Sequence, residues 1–179
     1  MTSTHITPLS LAQGDSFLHT TMLDPLAQPL LLDLEREYTE RYSSMFDTPA
    51  SEEINRYPAD AFVAPQGTFL LLLRNGSAIA GGAFMTIAEN TVEIKRVWTD
   101  ANFRGHGFAR LVLAELEAEA TRRGFTDVVL STGPRQPEAV HLYFATGYKP
   151  QFDPALDAAT IGAHEFRKRL NPAVSLDGH

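Results

Sequence analysis

The chain has 179 residues, 44% of them hydrophobic, which suits one domain of ordinary size with a buried core. Its 15 Lys and Arg against 22 Asp and Glu leave a formal charge of −7, the wrong sign for a protein that grips nucleic acid through phosphate contacts. With no cysteine, disulfides, thiolate zinc sites and cysteine nucleophiles are excluded together.

The opening MTSTHITPLS lacks a basic stretch followed by an apolar one, and the longest apolar runs, Leu30–Leu32 and Phe69–Leu73, are far too short to span a bilayer. The expected setting is the cytoplasm, with neither a membrane nor a nucleic-acid partner. The acidic balance is compatible with an amine-bearing substrate, although net charge speaks mainly to solubility and steering. Residues 1–15 read as an N-terminal arm, 16–170 as a single domain and 171–179 as a tail.

In chain order, SFLHTTML (16–23) reads as a first strand. PLLLDLEREYTERYSSMF (29–46) is an amphipathic helix, because Leu30, Leu31, Leu34, Tyr38 and Tyr42 recur at helical spacing. TPASEEINRY (48–57) predicts a short second helix with Ser51 as N-cap and Pro58 as its stop. The period then changes to that of strands over 68–74, 78–87 and 91–99. Asn75-Gly76 is a hairpin signal, since both residues tolerate the positive φ of a tight primed turn. The three runs form an antiparallel meander.

A helix follows from about Gly105 to Arg123, with Arg122 and Arg123 at its negative end and Gly124 as its stop. TDVVLST (126–132) is the next strand, QPEAVHLYFATGY (136–148) a helix with Pro137 in its first turn, and HEFRKRL (164–170) a last strand. A meander followed by strand, helix, strand and helix is an α+β arrangement, in which the long helix crosses between neighbouring parallel strands.

The glycines of RGHGFA (104–109) stand where a strand runs into that long helix. Such a junction leaves unpaired N–H groups at the positive end of the helix dipole, which is a phosphate site. Two phosphate motifs fail here. The nucleotide P-loop needs Gly-Lys-Ser/Thr where the chain has Phe108-Ala109-Arg110, and the dinucleotide fingerprint breaks at Arg110.

Arg104-x-x-Gly107-x-Ala109, after EIKRVWT and with STGPRQPEAVHLYFATGY downstream, resembles the acyl-CoA pyrophosphate loop and second core motif of the GNAT N-acetyltransferases. The resemblance runs from about Leu30 to Leu170. It implies the GNAT fold, a mixed, mostly antiparallel sheet of six to seven strands flanked by helices, with the fourth and fifth strands splayed near a bulge. It implies acetyl-CoA as cosubstrate, no metal, and an amine that attacks the thioester directly. Val97, Trp98 and Thr99 would pair with the pantetheine arm. Arg104, Gly105, His106, Gly107, Phe108, Ala109 and Arg110 would hold the pyrophosphate, His106 and Phe108 through backbone alone.

The resemblance further places Glu93 where many members carry a base. The alternative is a strand Glu paired with a neighbouring Lys or Arg. Tyr143 matches the tyrosine that protonates the departing thiolate, and the alternative is a core aromatic at helical spacing. Period-2 counting sets Glu93 and Lys95 on one face and Ile94 and Arg96 on the other, unless a bulge intervenes. Tyr38, Arg41 and Tyr42 are candidates for a carboxylate-bearing acceptor, against simple helix packing of the two tyrosines. The expected activity is acetylation of a small-molecule primary amine; the alternatives are a protein or peptide N-acetyltransferase and a non-catalytic acyl-CoA-binding module. Homodimers are common in this superfamily, and nothing in these residues decides the matter.

Overall fold

A computed structural model describes residues 11–45 and 49–171 of the chain. The elements in order are β1 (Asp15–Thr20), α1 (Gln28–Tyr42), α2 (Ala50–Ile54), β2 (Gly67–Arg74), β3 (Ser77–Ala88), β4 (Thr91–Thr99), α3 (Phe108–Arg122), β5 (Asp127–Thr132), α4 (Pro137–Ala145), β6 (Lys149–Pro150), α5 (Ala158–Ile161) and β7 (His164–Arg169). The strands form one sheet in the order β1-β2-β3-β4-β5-β7-β6. Among the described residues only β4 and β5 run parallel, and α3 is the crossover that joins them. The α+β class and the mixed, mostly antiparallel sheet expected from the sequence are the ones observed.

Turn chemistry sets most boundaries. Asn75 (φ 50°) and Gly76 (φ 84°) close the β2–β3 hairpin in left-handed conformations, with Arg74 opposite Ser77. Gly124 (φ 88°) ends α3 and Gly147 (φ 88°) follows α4.

Several expectations shift. β1 begins at Asp15, the last residue assigned to the arm, and its carboxylate pairs with Arg74 at 2.8 Å. It stops at Thr20 because Asp24 accepts from the Thr20 hydroxyl and the Leu26 amide and starts a 3-10 turn at Pro25. Pro49, not Ser51, is the N-cap of α2, with no side-chain cap, and Ser51 lies inside the helix. α3 starts at Phe108, because Gly107 occupies the left-handed region and ends the preceding turn. The two-residue β6 and four-residue α5 are too short to leave a periodic signal. Residues 1–10 of the expected arm and 172–179 of the tail lie outside the described residues.

Two adjacent glycines in β3 let helices approach both faces of the sheet. A Cβ on Gly81 would stand 2.7 Å from both Leu30 Cδ1 of α1 and the Leu70 carbonyl oxygen. A Cβ on Gly82 would stand 3.0 Å from Leu116 Cδ1 and 3.1 Å from Val112 Cγ1 of α3. Behind them lie two cores: Val112, Leu116, Phe84 and Phe166 on the α3 side, and Leu30, Phe62, Phe69 and Trp98 on the α1 side. We expect Gly81→Ala to cost about 1–3 kcal/mol, because it meets backbone as well as side chain. Gly82→Ala should cost less, because only flexible side-chain ends must give. Denaturant melts of the two variants check this order, and equal or reversed losses would contradict it.

Candidate active site

The site begins where two strands part. β4 and β5 pair from Thr91–Asp127 only as far as Ile94–Leu130, although both strands continue. At the same level β4 carries an extra residue: Gly81 faces Trp98 and Ala83 faces Lys95, so Gly82 stands opposite both Arg96 and Val97. Arg96 takes up the extra length at φ 63°, a conformation costing a non-glycine residue about 1–3 kcal/mol.

The bulge reverses the alternation. Lys95 Nζ lies 5.0 Å from the centre of the Tyr57 ring and the Arg96 guanidinium 6.0 Å from that of Phe62, so both turn to the α1 side. Plain period-2 counting had set Arg96 beside Ile94, which belongs to the α3-side core.

A cleft of about 870 Å³ opens in the gap. Its walls come from α1, the end of α2, β4 from Glu93 to Thr99, the turn into α3, the Ser131–Pro134 loop and α4. Every residue singled out from the sequence lines it except His106, which is exposed with its ring 6.1 Å from that of Phe108.

At one end of the cleft, Gly105 (φ 80°) and Gly107 (φ 82°) adopt a backbone that favours glycine, and a Cβ on either would meet nothing within 4 Å. Conformation, not crowding, therefore demands glycine in this loop, and the space above it is open. The amides of Phe108, Ala109 and Arg110 precede the first intrahelical bond, Leu111 N–H to Gly107 O at 3.2 Å, and no side chain caps them. Arg104 is engaged: it donates to the Thr99 carbonyl at 3.2 Å and to the Glu37 carboxylate of α1.

Midway along, Tyr143 is buried at 6% exposure with its ring against Tyr148 and Phe166. Burial pushes its pKa up to about 12, so the phenol keeps its proton across the working pH range. The ring belongs to the core, and the residue also lines the cleft. Burial and the Glu117 carboxylate hold the Tyr148 phenol protonated as well; its hydroxyl donates to Glu117 at 2.9 Å. Glu93 pairs with Lys95 at 3.0 Å, both being largely shielded.

The three α1 candidates differ in what they offer. Tyr38 is half-buried and its ring packs at a tilt against that of Tyr42, with centroids 5.2 Å apart. Tyr42 is buried; its hydroxyl accepts from the Arg135 amide at 3.2 Å and donates to Gln136 at 3.4 Å. Arg41 pairs with Glu138 at 2.5 Å and donates to the Arg135 carbonyl at 3.0 Å. Tyr42 and Arg41 thus tie α1 to the loop before α4. Gln136 completes that tie, its Oε1 accepting from the Thr132 hydroxyl at 2.9 Å and the Gly133 amide at 3.0 Å.

Sequence reasoning missed Arg96, Lys95, Glu53 and Tyr57 as lining residues. The resemblance implied a bulge in this region, but the alternation of EIKRVW alone does not place it at Arg96.

The sequence model described as the acetyltransferase (GNAT) family matches residues 31–148. The chain belongs to this family. Among curated proteins, an IAA acetyltransferase of Azospirillum brasilense is 29% identical over 111 residues, covering 54% of this chain and 72% of the relative. Among solved structures, an acetyltransferase of Streptococcus agalactiae superposes with a TM-score of 0.68 at 21% identity, covering 89% of this chain and 100% of that one. A GNAT family acetyltransferase of Elizabethkingia anophelis, solved with acetyl-CoA bound, superposes at 0.60 with 15% identity over 89% and 100% of the two chains. At those identities the structural likenesses speak for the GNAT fold. Among the described residues no helix of this GNAT chain is long and apolar enough to cross a membrane.

Two glycines of the GNAT cleft separate conformational from steric demand. A Cβ on Gly133 would overlap the Tyr42 hydroxyl, so Gly133→Ala must break the α1–α4 tie. Gly107→Ala should lose only about 1–2 kcal/mol of stability, the strain of a left-handed backbone. Gly133→Ala should lose more, and thermal unfolding of both variants reads the difference.

Proposed function

We propose that the protein transfers an acetyl group from acetyl-CoA to the primary amine of a small molecule. The observation that carries this reading is the cleft itself. It joins a glycine loop at a free helix N-terminus to the gap between splayed β4 and β5, with Tyr143 lining its wall. The residues fit the cosubstrate: the open space above Gly105 and Gly107 and the free amides of Phe108, Ala109 and Arg110 suit a diphosphate. Arg104 would join them on leaving Glu37. The edges of Val97, Trp98 and Thr99, beyond the last β4–β5 pair, suit an extended pantetheine arm. That the E. anophelis relative was solved with acetyl-CoA supports the same donor here.

Acetyl-CoA supplies a thioester carbonyl; the amine nitrogen forms the new C–N bond, the C–S bond breaks, and the thiolate leaves. An alkylammonium, with a pKa of about 10, must first lose a proton. Glu93 is the group suited to take it, directly or through water, and Lys95 pairs with that carboxylate at 3.0 Å. Tyr143, protonated because it is buried, is suited to give a proton to the thiolate.

Thermal shift with CoA and thiol release from acetyl-CoA over an amine panel test the reading. CoA should stabilise the wild type and fail to stabilise Gly107→Glu, whose side chain places bulk and charge on the loop. No stabilisation of the wild type would refute it. Tyr143→Phe should lower kcat on the order of 10²-fold with CoA affinity unchanged. Glu37→Gln should release Arg104 and tighten CoA binding about two- to fivefold, the worth of an exposed ion pair. Titration calorimetry reads that change, and weaker binding would mean that Glu37 positions Arg104 instead of competing for it.

A further inference from the structure

The chain is acidic, yet the cleft wall is cationic: among its described lining residues six Lys and Arg face four Glu. Each of the four carboxylates has a cation: Glu37 with Arg104, Glu53 with Arg56 at 3.8 Å, Glu93 with Lys95, and Glu138 with Arg41. The two cations left over are Arg96 and Arg110. Arg110 lies in the first turn of α3, at the loop suited to the cosubstrate's phosphates. Arg96 lies on the bulge, over the Phe62 ring and against the end of α2.

Arg96 is held there in a fixed pose. Its Nη2 donates to the Ile54 carbonyl at 2.6 Å and the Glu53 carbonyl at 3.2 Å, both at the negative end of α2. No carboxylate lies within 4.0 Å of it among the described residues. Its Nε is buried without a hydrogen-bond partner, and its Nη1 makes no hydrogen bond among the described residues. A partly buried guanidinium at the apex of a strained bulge, with unpaired donors and only carbonyl acceptors, has no carboxylate in ion-pair contact, and Glu53 acts on it only from beyond 4.0 Å. The guanidinium is also pre-oriented, so little rotamer freedom remains to be lost when an anion arrives.

We propose that the acyl acceptor bears a carboxylate and that Arg96 binds it, setting the amine toward Glu93 on the same side of the sheet. This rests on the transferase reading above for the amine, but the carboxylate site stands on the charge pairing alone. The acceptor class is then an amino acid or an amine carrying a comparable acid. Arg41, the residue that the sequence offered for this role, is spent on Glu138 and the Arg135 carbonyl.

The test separates binding from turnover. CoA-saturated wild type is titrated with N-acetylglycine, N-acetylleucine, N-acetylphenylalanine and N-acetylaspartate, each beside its uncharged primary amide, and binding is read by calorimetry and thermal shift. At least one acid should bind tenfold or more tightly than its amide. The preference should collapse in Arg96→Gln and survive in part in Arg96→Lys. Acids and amides that bind the wild type alike, or fail to bind at all, would overturn the proposal without needing any variant to fold. So would an Arg96→Gln protein that keeps the preference, since a guanidinium that merely caps α2 would change stability and not discrimination. Turnover of the matching free amino acids is measured in parallel: an acid preference in binding with no acetylation of any amine would sink the transferase reading and leave the carboxylate site in place.

Discussion

One surplus residue in β4, set opposite the single Gly82 of β3, governs the architecture of the site. A bulge bends its strand and increases local twist, and here β4 stops pairing with β5 immediately before it, at Ile94–Leu130. The sheet opens at that level instead of closing, and the backbone edges of Val97 to Thr99 are left beside a cleft. Gly82 is part of the same constraint, because it brings Val112 and Leu116 of α3 against the sheet where the strand bends. The left-handed backbone of Arg96 is the cost of this arrangement, and it is located where the chemistry is expected.

What faces that opening is set by electrostatic pairing across elements far apart in sequence. Glu37 of α1 reaches Arg104, Arg41 of α1 reaches Glu138 of α4, and Arg96 of β4 reaches the last carbonyls of α2. Net charge predicts none of this: a chain of −7 surrounds a cleft with a surplus of cations. Composition is compatible with an amine-bearing substrate, yet among the described residues that line the cleft six Lys and Arg face four Glu.

The cleft keeps its shape because its two walls are tied together. Tyr42, Arg41, Arg135 and Gln136 link α1 to the loop before α4, and Gly133 leaves room for the Tyr42 hydroxyl within that tie. Tyr143 stands just beyond, in an aromatic cluster with Tyr148 and Phe166 that excludes water and thereby keeps its phenol protonated. The burial that packs the ring is also what raises the pKa of the phenol, because desolvation disfavours the phenolate.

The sequence by itself determined whatever depends on neighbours along the chain. The meander, the Asn75-Gly76 turn, the α3 crossover and the glycine loop at its start are local matters of periodicity and allowed φ, and they appear within a few residues of where the pattern sets them. The family resemblance was legible for the same reason, since Arg104 to Ala109 is one contiguous stretch. Tertiary structure decided which partners the flagged groups meet. Arg41 and Tyr42, the acceptor candidates on α1, line the cleft and also bond to partners some 94 residues away. Arg96 looked like a residue of the opposite face until a register shift against β3 turned it round. Pairing and register are long-range properties: they follow from which strand lies beside which and from which charge finds which, and no window of adjacent residues contains them.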